Sequence, residues 1–234
     1  SATAGSQFVW IPVGTITKED GTTVEINLDR YTFDGNGKPT PRGENVINSY
    51  YSETASKGNT VAKSITNFKN SVTTNEGYYI GRYEARKNES ETITEVGTDT
   101  ICNTINQPTA ATKAQKMYDN THPFTSDLMN SYAWDTATLF LQSCGTNNKY
   151  SRKTSVNSSF ATTGTNSDIQ CNVHDMASNV REWTTETSSE SDYPCTDRGG
   201  YYDSTYNFTS IRNSRSTSNS DSYFGFRPLL YVNV

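Results

Sequence analysis

The sequence predicts an α+β domain over residues 1–234, with two helices, scattered short strands and long loops. Three observations predict it. Two stretches carry apolar residues at helical spacing, several short runs are rich in β-branched and aromatic residues, and the rest is polar. Only 32% of the 234 residues are hydrophobic and 19% are charged, while Ser, Thr and Asn together supply 85. Low charge with 12% aromatics argues against disorder, which needs the opposite balance. A loop-rich fold, in which neutral side chains and backbone carry many hydrogen bonds, suits that composition better than a large layered core.

Taken in order, Phe8-Val9-Trp10-Ile11-Pro12-Val13 reads as a strand whose proline marks an edge or an end. Thr23 to Leu28 reads as a second, and the Gly/Pro/Asn-rich stretch from Asp34 to Asn48 as loop. Val61, Ile65, Phe68 and Val72 fall on one face of a helix, with Asn59 as its expected N-cap and Gly77 beyond its end. Tyr78 to Tyr83 then forms a strand, and residues 86–124 read as a polar surface excursion. The second helix is expected from Ser126 to Ser143, capped by Thr125 or Ser126, with Leu128, Met129, Tyr132, Ala133, Ala137, Phe140 and Leu141 on its apolar side. Leu229-Leu230-Tyr231-Val232 reads as the last strand.

Several functions drop out. No run approaches 18 apolar residues, so no membrane insertion is expected. A net charge of -5 without a Lys/Arg cluster excludes nucleic acid as a partner. Cys102, Cys144, Cys171 and Cys195 lie far apart with no C-x-x-C pair, against a zinc or redox motif. Their even count leaves both disulfides and free thiols open. There is no G-x-S-x-G, H-E-x-x-H or P-loop. No signal peptide is visible from Ser1 onward.

The last third carries the motifs. Asp175-Met176-Ala177-Ser178-Asn179-Val180-Arg181-Glu182-Trp183 is followed by Arg198-Gly199-Gly200 and then Gly225-Phe226-Arg227. These blocks, in this order, resemble those of the formylglycine-generating-enzyme (sulfatase-modifying factor) family: D-x-x-G-N-V-x-E-W, R-G-G and G-F-R. Phe8–Val13 and Tyr79-Ile80-Gly81-Arg82-Tyr83-Glu84 resemble that family's opening. The resemblance implies a C-type-lectin-like fold, with two helices flanking a small twisted antiparallel sheet. It does not carry the enzyme over. The family's oxidase has two copper-binding cysteines shortly after R-G-G, and the matching positions here are Ser204 and Thr209, whose hydroxyls cannot replace soft thiolates. Its iron-dependent relatives need several histidines, and this chain has only His122 and His174. No catalytic residue and no required cofactor are therefore expected. The family's calcium site falls on Asp175, Ser178, Val180 and Glu182, so calcium is a ligand that the resemblance implies, through oxygens suited to a hard cation.

Between the glycine motifs lies YYDSTYNFTSIRNSRSTSNSDSYFG, residues 201–225, where Tyr, Ser, Thr, Asn and Asp fill 19 of 25 positions. Six aromatics in a segment held at both ends are more than a linker needs. Tyr with Ser, Asn and Asp is the palette of antibody binding loops: rigid contact area plus adaptable hydrogen bonding. Most of it also lies one base from an Asn codon, as mutagenesis of adenines would produce. In this the chain resembles the variable proteins of diversity-generating retroelements, which use the same lectin-like fold and vary between R-G-G and G-F-R. That resemblance implies a hypervariable ligand-binding segment at about 201–224. Its expected site residues are Tyr201, Tyr202, Asp203, Tyr206, Asn207, Phe208, Ile211, Asn213, Ser214, Arg215, Ser222, Tyr223 and Phe224, with Arg212, Arg227 and Trp183 in the scaffold. The expected partner is a protein or glycan on another cell or particle. The expected location is extracellular, on a bacterial cell surface or phage particle. The alternatives are a degenerate or unrecognised metal-dependent enzyme of the family and a fixed structural surface domain.

Overall fold

The computed structural model describes residues 5–54, 57–86, 95–96, 100–118, 122–152, 160–204 and 206–234. Parts of the expected 86–124 excursion and of the loop after Cys144 lie outside them. The described residues form a mixed α+β structure with three helices and several small, mostly antiparallel sheets. Among them no helix is long and apolar enough to cross a membrane.

Helix α1 spans Ile65–Asn75, α2 Gln107–Gln115 and α3 Ser131–Cys144. The expected cap Asn59 is not at a helix end. It is buried and donates from Nδ2 to Thr187 Oγ1 (2.9 Å), while Ser64 caps α1 by accepting from Asn67 N (3.1 Å). The expected second helix begins five residues late. Residues Phe124–Leu128 form a strand, and Asn130 caps α3 through Ala133 N (2.8 Å). Helix α2 corrects the reading of 86–124 as a surface excursion. Its inward residues are Ala110, Ala111 and Ala114, all fully buried, which give no bulky apolar stripe to detect. The 34–48 loop also holds a short strand, Pro39–Pro41, paired with Tyr31–Phe33.

A four-stranded antiparallel sheet has the order Phe8–Pro12, Gly77–Gly81, Pro228–Val232, Phe124–Leu128. Its inner face packs on α1 and α3. Ile11, Tyr78, Ile80, Leu229 and Tyr231 meet Phe68 and Val72 of α1 and Ala133, Trp134, Ala137 and Leu141 of α3. The Phe68 ring stands edge-on to both Tyr78 (5.3 Å) and Tyr231 (5.5 Å). A second sheet has the order Arg212–Arg215, Cys195–Arg198, Arg181–Ser188, Phe224–Phe226, with Tyr50–Tyr51 on the far end of its long strand. The Phe224–Phe226 strand runs parallel to its neighbour; the other pairings are antiparallel. Trp183, Phe224 and Phe226 pack here against the alanines of α2, forming a second apolar cluster.

Candidate binding face

Residues 201–224 leave the second sheet after Arg198-Gly199-Gly200, return to its edge as the strand Arg212–Arg215 and re-enter it at Phe224. Both ends are fixed to one turn. Tyr202 N donates to Asn179 O (2.9 Å), and Arg181 N donates to Tyr223 O (2.9 Å). The glycines make that approach possible. A methyl group on Gly200 would lie 2.3 Å from Ala177 O, and one on Gly225 would lie 2.7 Å from Val180 Cγ2. Further along, Trp134 Nε1 donates to Thr209 O (2.8 Å), Arg198 Nε to Ile211 O (2.9 Å) and Asn103 Nδ2 to Ser222 O (2.6 Å). The Arg212–Arg215 strand adds a ladder to Cys195–Arg198.

A buried ionic network anchors that strand from below. Arg198 Nη2 reaches Asp135 (2.6 Å), and Arg30 Nη2 and Arg212 Nε reach Glu186 (2.7 and 3.0 Å). Arg212 also pairs with Asp135. Burial opposes ionisation of Asp135, but the Arg198 and Arg212 guanidiniums hold its carboxyl below the usual range. Beside it, fully buried Asp197 accepts from Asn213 Nδ2 (2.9 Å) and Arg181 Nη1 (3.4 Å) and forms an ion pair with Arg215 (3.2 Å). Burial still pushes its pKa up.

The aromatic rings form a chain from surface to core. Phe160 meets Tyr202 at 5.4 Å between ring centres, and Tyr202 meets Tyr201 at 6.0 Å. Tyr201 meets Tyr223 at 5.3 Å, Tyr223 meets Phe224 at 4.6 Å, and Phe224 stacks on Trp183 at 4.4 Å. The Arg181 guanidinium lies 4.5 Å over Tyr201. Tyr206 stands apart, 77% exposed.

Of the thirteen expected site residues, this face gathers Tyr201, Tyr202 and Tyr223, with Ser222 within 3.4 Å of the Tyr202 hydroxyl. Asp203 and Tyr206 are exposed at its edge. Phe208 and Ile211 line a separate cavity, while Asn213, Ser214 and Arg215 lie half-buried on the strand. Two are placed elsewhere. Phe224 is fully buried against Trp183, and Asn207 is buried, accepting from Tyr201 N (3.1 Å) and donating to Ser204 O (3.2 Å). Their residue types match those of the contact residues around them, and composition does not distinguish an anchor from a contact residue. Phe160, Arg181 and Arg152 join the site from outside the segment, without a local sequence signal. Arg212, Arg227 and Trp183 are scaffold: their side chains are buried and partnered.

The residues of the implied calcium site do not fit a cation as they are arranged. Both Glu182 oxygens accept from Arg227, at 2.7 and 3.1 Å, placing a guanidinium where the ion would lie against this carboxylate. Asp175 accepts from Gly164 N (3.0 Å) and lies 3.3 Å from Ser178 Oγ. Among the described residues no group of three or more His, Cys, Asp and Glu side chains is set to hold a metal. At the copper positions, Ser204 hydrogen-bonds Tyr206 and Thr209 is fully buried. None of the four cysteines is joined in a disulfide; Cys195 is buried in the second apolar cluster and Cys171 packs against the first.

No family model matches the chain, and no curated protein or solved structure matches it.

Proposed function

We propose that the chain is a non-enzymatic ligand-binding protein, in which a C-type-lectin-like scaffold displays residues 201–224 as a diversifiable surface outside a bacterial cell or on a phage particle. One observation carries the reading: a segment with the composition of a binding loop is tied to the scaffold at both ends and along the Arg212–Arg215 strand, and presents linked tyrosines. Fixed backbone means little conformational entropy is lost when a partner docks. Tyr201, Tyr202 and Tyr206 offer rigid amphipathic contact area, and Ser222 and Asp203 offer polar partners at the rim. The anchors that hold the segment use backbone atoms, glycines or buried Asn207, Arg198 and Arg212, so exposed side chains can change without loosening it. Two helices packed on a sheet that joins the first and last strands suit a lectin-like scaffold. Hydroxyls at Ser204 and Thr209 argue for binding rather than oxidation.

Deep sequencing of codons 196–234 across a population of the source tests the diversified reading. Substitutions confined to positions that are adenine in a near-identical template, sparing Asn207, Arg212 and Phe224, are the expected result. An invariant segment, or one varying at all bases alike, would refute it. Against a ligand selected from protein and glycan libraries, Tyr206→Ala should weaken binding about tenfold or more without lowering the melting temperature.

A further inference from the structure

We propose that the cavity beside Phe208 and Ile211 is a subsite for an acidic sugar ring. The inference rests on the reading of residues 201–224 as a binding face and names what one flank of that face would hold. The cavity measures about 350 Å³, at the small end of the range for ligand pockets. One wall, Phe208, Ser210 and Ile211, belongs to the segment. The opposite wall, Phe33, Ile47 and Asn48, comes from the strand Tyr31–Phe33 and the loop after it, and Arg152 comes from beyond α3. That wall lies outside the segment proposed to vary.

Its chemistry selects the occupant. Phe33 and Phe208 offer aromatic surface against which the C–H face of a pyranose packs, while Thr32, Asn48 and Ser210 supply polar groups for hydroxyls. The Arg152 guanidinium lies 4.7 Å over the Phe208 ring. A guanidinium over a ring face has N–H groups left for a carboxylate, which it can take bidentately. Arg212 also borders the cavity, but its guanidinium is already held by Asp135 and Glu186. Asp34 Oδ1 accepts from Lys38 N and Asn36 N at 2.9 and 2.8 Å, and these bonds, more than Arg152, hold its carboxyl below the usual range. Arg152, Phe33 and Asn48, outside the segment, would thus favour an anionic glycan, and the residues at 208–211 would tune which one.

Ligand-observed NMR titration of the full chain with D-glucuronate and D-glucose tests this, since the two rings differ at the carboxylate. Glucuronate is expected to bind about tenfold more tightly than glucose. Arg152→Ala should erase that difference with the melting temperature unchanged, and Phe208→Ala should weaken both sugars. Equal binding of the two sugars, no binding of glucuronate, or preference intact in Arg152→Ala would each overturn the subsite. N-acetyl-aspartate binding as tightly as glucuronate would overturn the sugar assignment and indicate an acidic peptide. Arg152-dependent glucuronate binding with invariant codons 196–234 would keep the subsite and remove only the diversified reading.

Discussion

At Asp135 a single carboxylate ties α3 to Arg198 of the second sheet and to Arg212 at the root of the binding segment. It also accepts from Tyr31 N (3.0 Å), so three other parts of the chain converge on it. Three arginines share Asp135 and Glu186, and removing either acid leaves buried cations without enough partners. Asp135→Ala is therefore expected to cost about 3–5 kcal/mol, read as a shift in the urea midpoint. A loss below about 1 kcal/mol would mean the network is not needed to hold the segment. Nothing near Asp135 in the sequence announces this role; its partners lie 63 and 77 positions away.

The elements differ in how far the sequence reveals them. The strand at Phe8–Pro12 and helix α1 carry bulky apolar residues at the right spacing and are legible, though α1 begins later than Val61 suggests. Helix α2 buries only alanines and Gln107, so its pattern resembles a polar loop. The strand Phe124–Leu128 buries Ser126 and Asp127 along with Leu128. Asp127 accepts from Lys63 N (2.7 Å) and Gln115 Nε2 (2.9 Å), which satisfies it in a place where polarity predicts exposure. Helix α3 depends on its cap, because Asn130 is buried and water cannot replace its bond to Ala133 N. Asn130→Ala should destabilise by about 1–2 kcal/mol in thermal unfolding, and Asn130→Asp by less. Equal stability of Asn130→Ala and the parent would place the start of α3 elsewhere.

Across the whole molecule, buried carboxylates set the pH response. Burial pushes Glu53 up to about 8 and Asp127 and Asp168 to about 6, and Glu84 well above its usual value. Their unfolded values lie near 4. Between about pH 4 and 8 the folded chain therefore binds more protons than the unfolded chain, and its stability falls as pH rises. Glu44, held down at about 2 mainly by Lys69, Ser52 and Tyr132 against its partial burial, acts oppositely, and its contribution is lost only in strong acid. The melting temperature should thus decrease from pH 5 to pH 8, with Glu53→Gln flattening the upper part of the slope. A melting temperature that rises over this window would contradict the protonated state of these buried acids.

By itself, the sequence determined the mixed α+β class, the strands and helices with bulky apolar faces, and the composition of the 201–224 segment. It did so because those properties reside in local spacing and residue type. The tertiary structure decided which residues of the segment face outward: the polar Asn207 is buried and the aromatic Tyr206 beside it is exposed, the reverse of what residue type alone suggests. It also decided the partners from elsewhere in the chain: Phe160 and Arg181 in the aromatic chain, Arg152 over Phe208, and Arg227 against Glu182. Such contacts join residues far apart in the chain, and an ion pair or ring contact depends on positions in space that spacing along the chain does not encode.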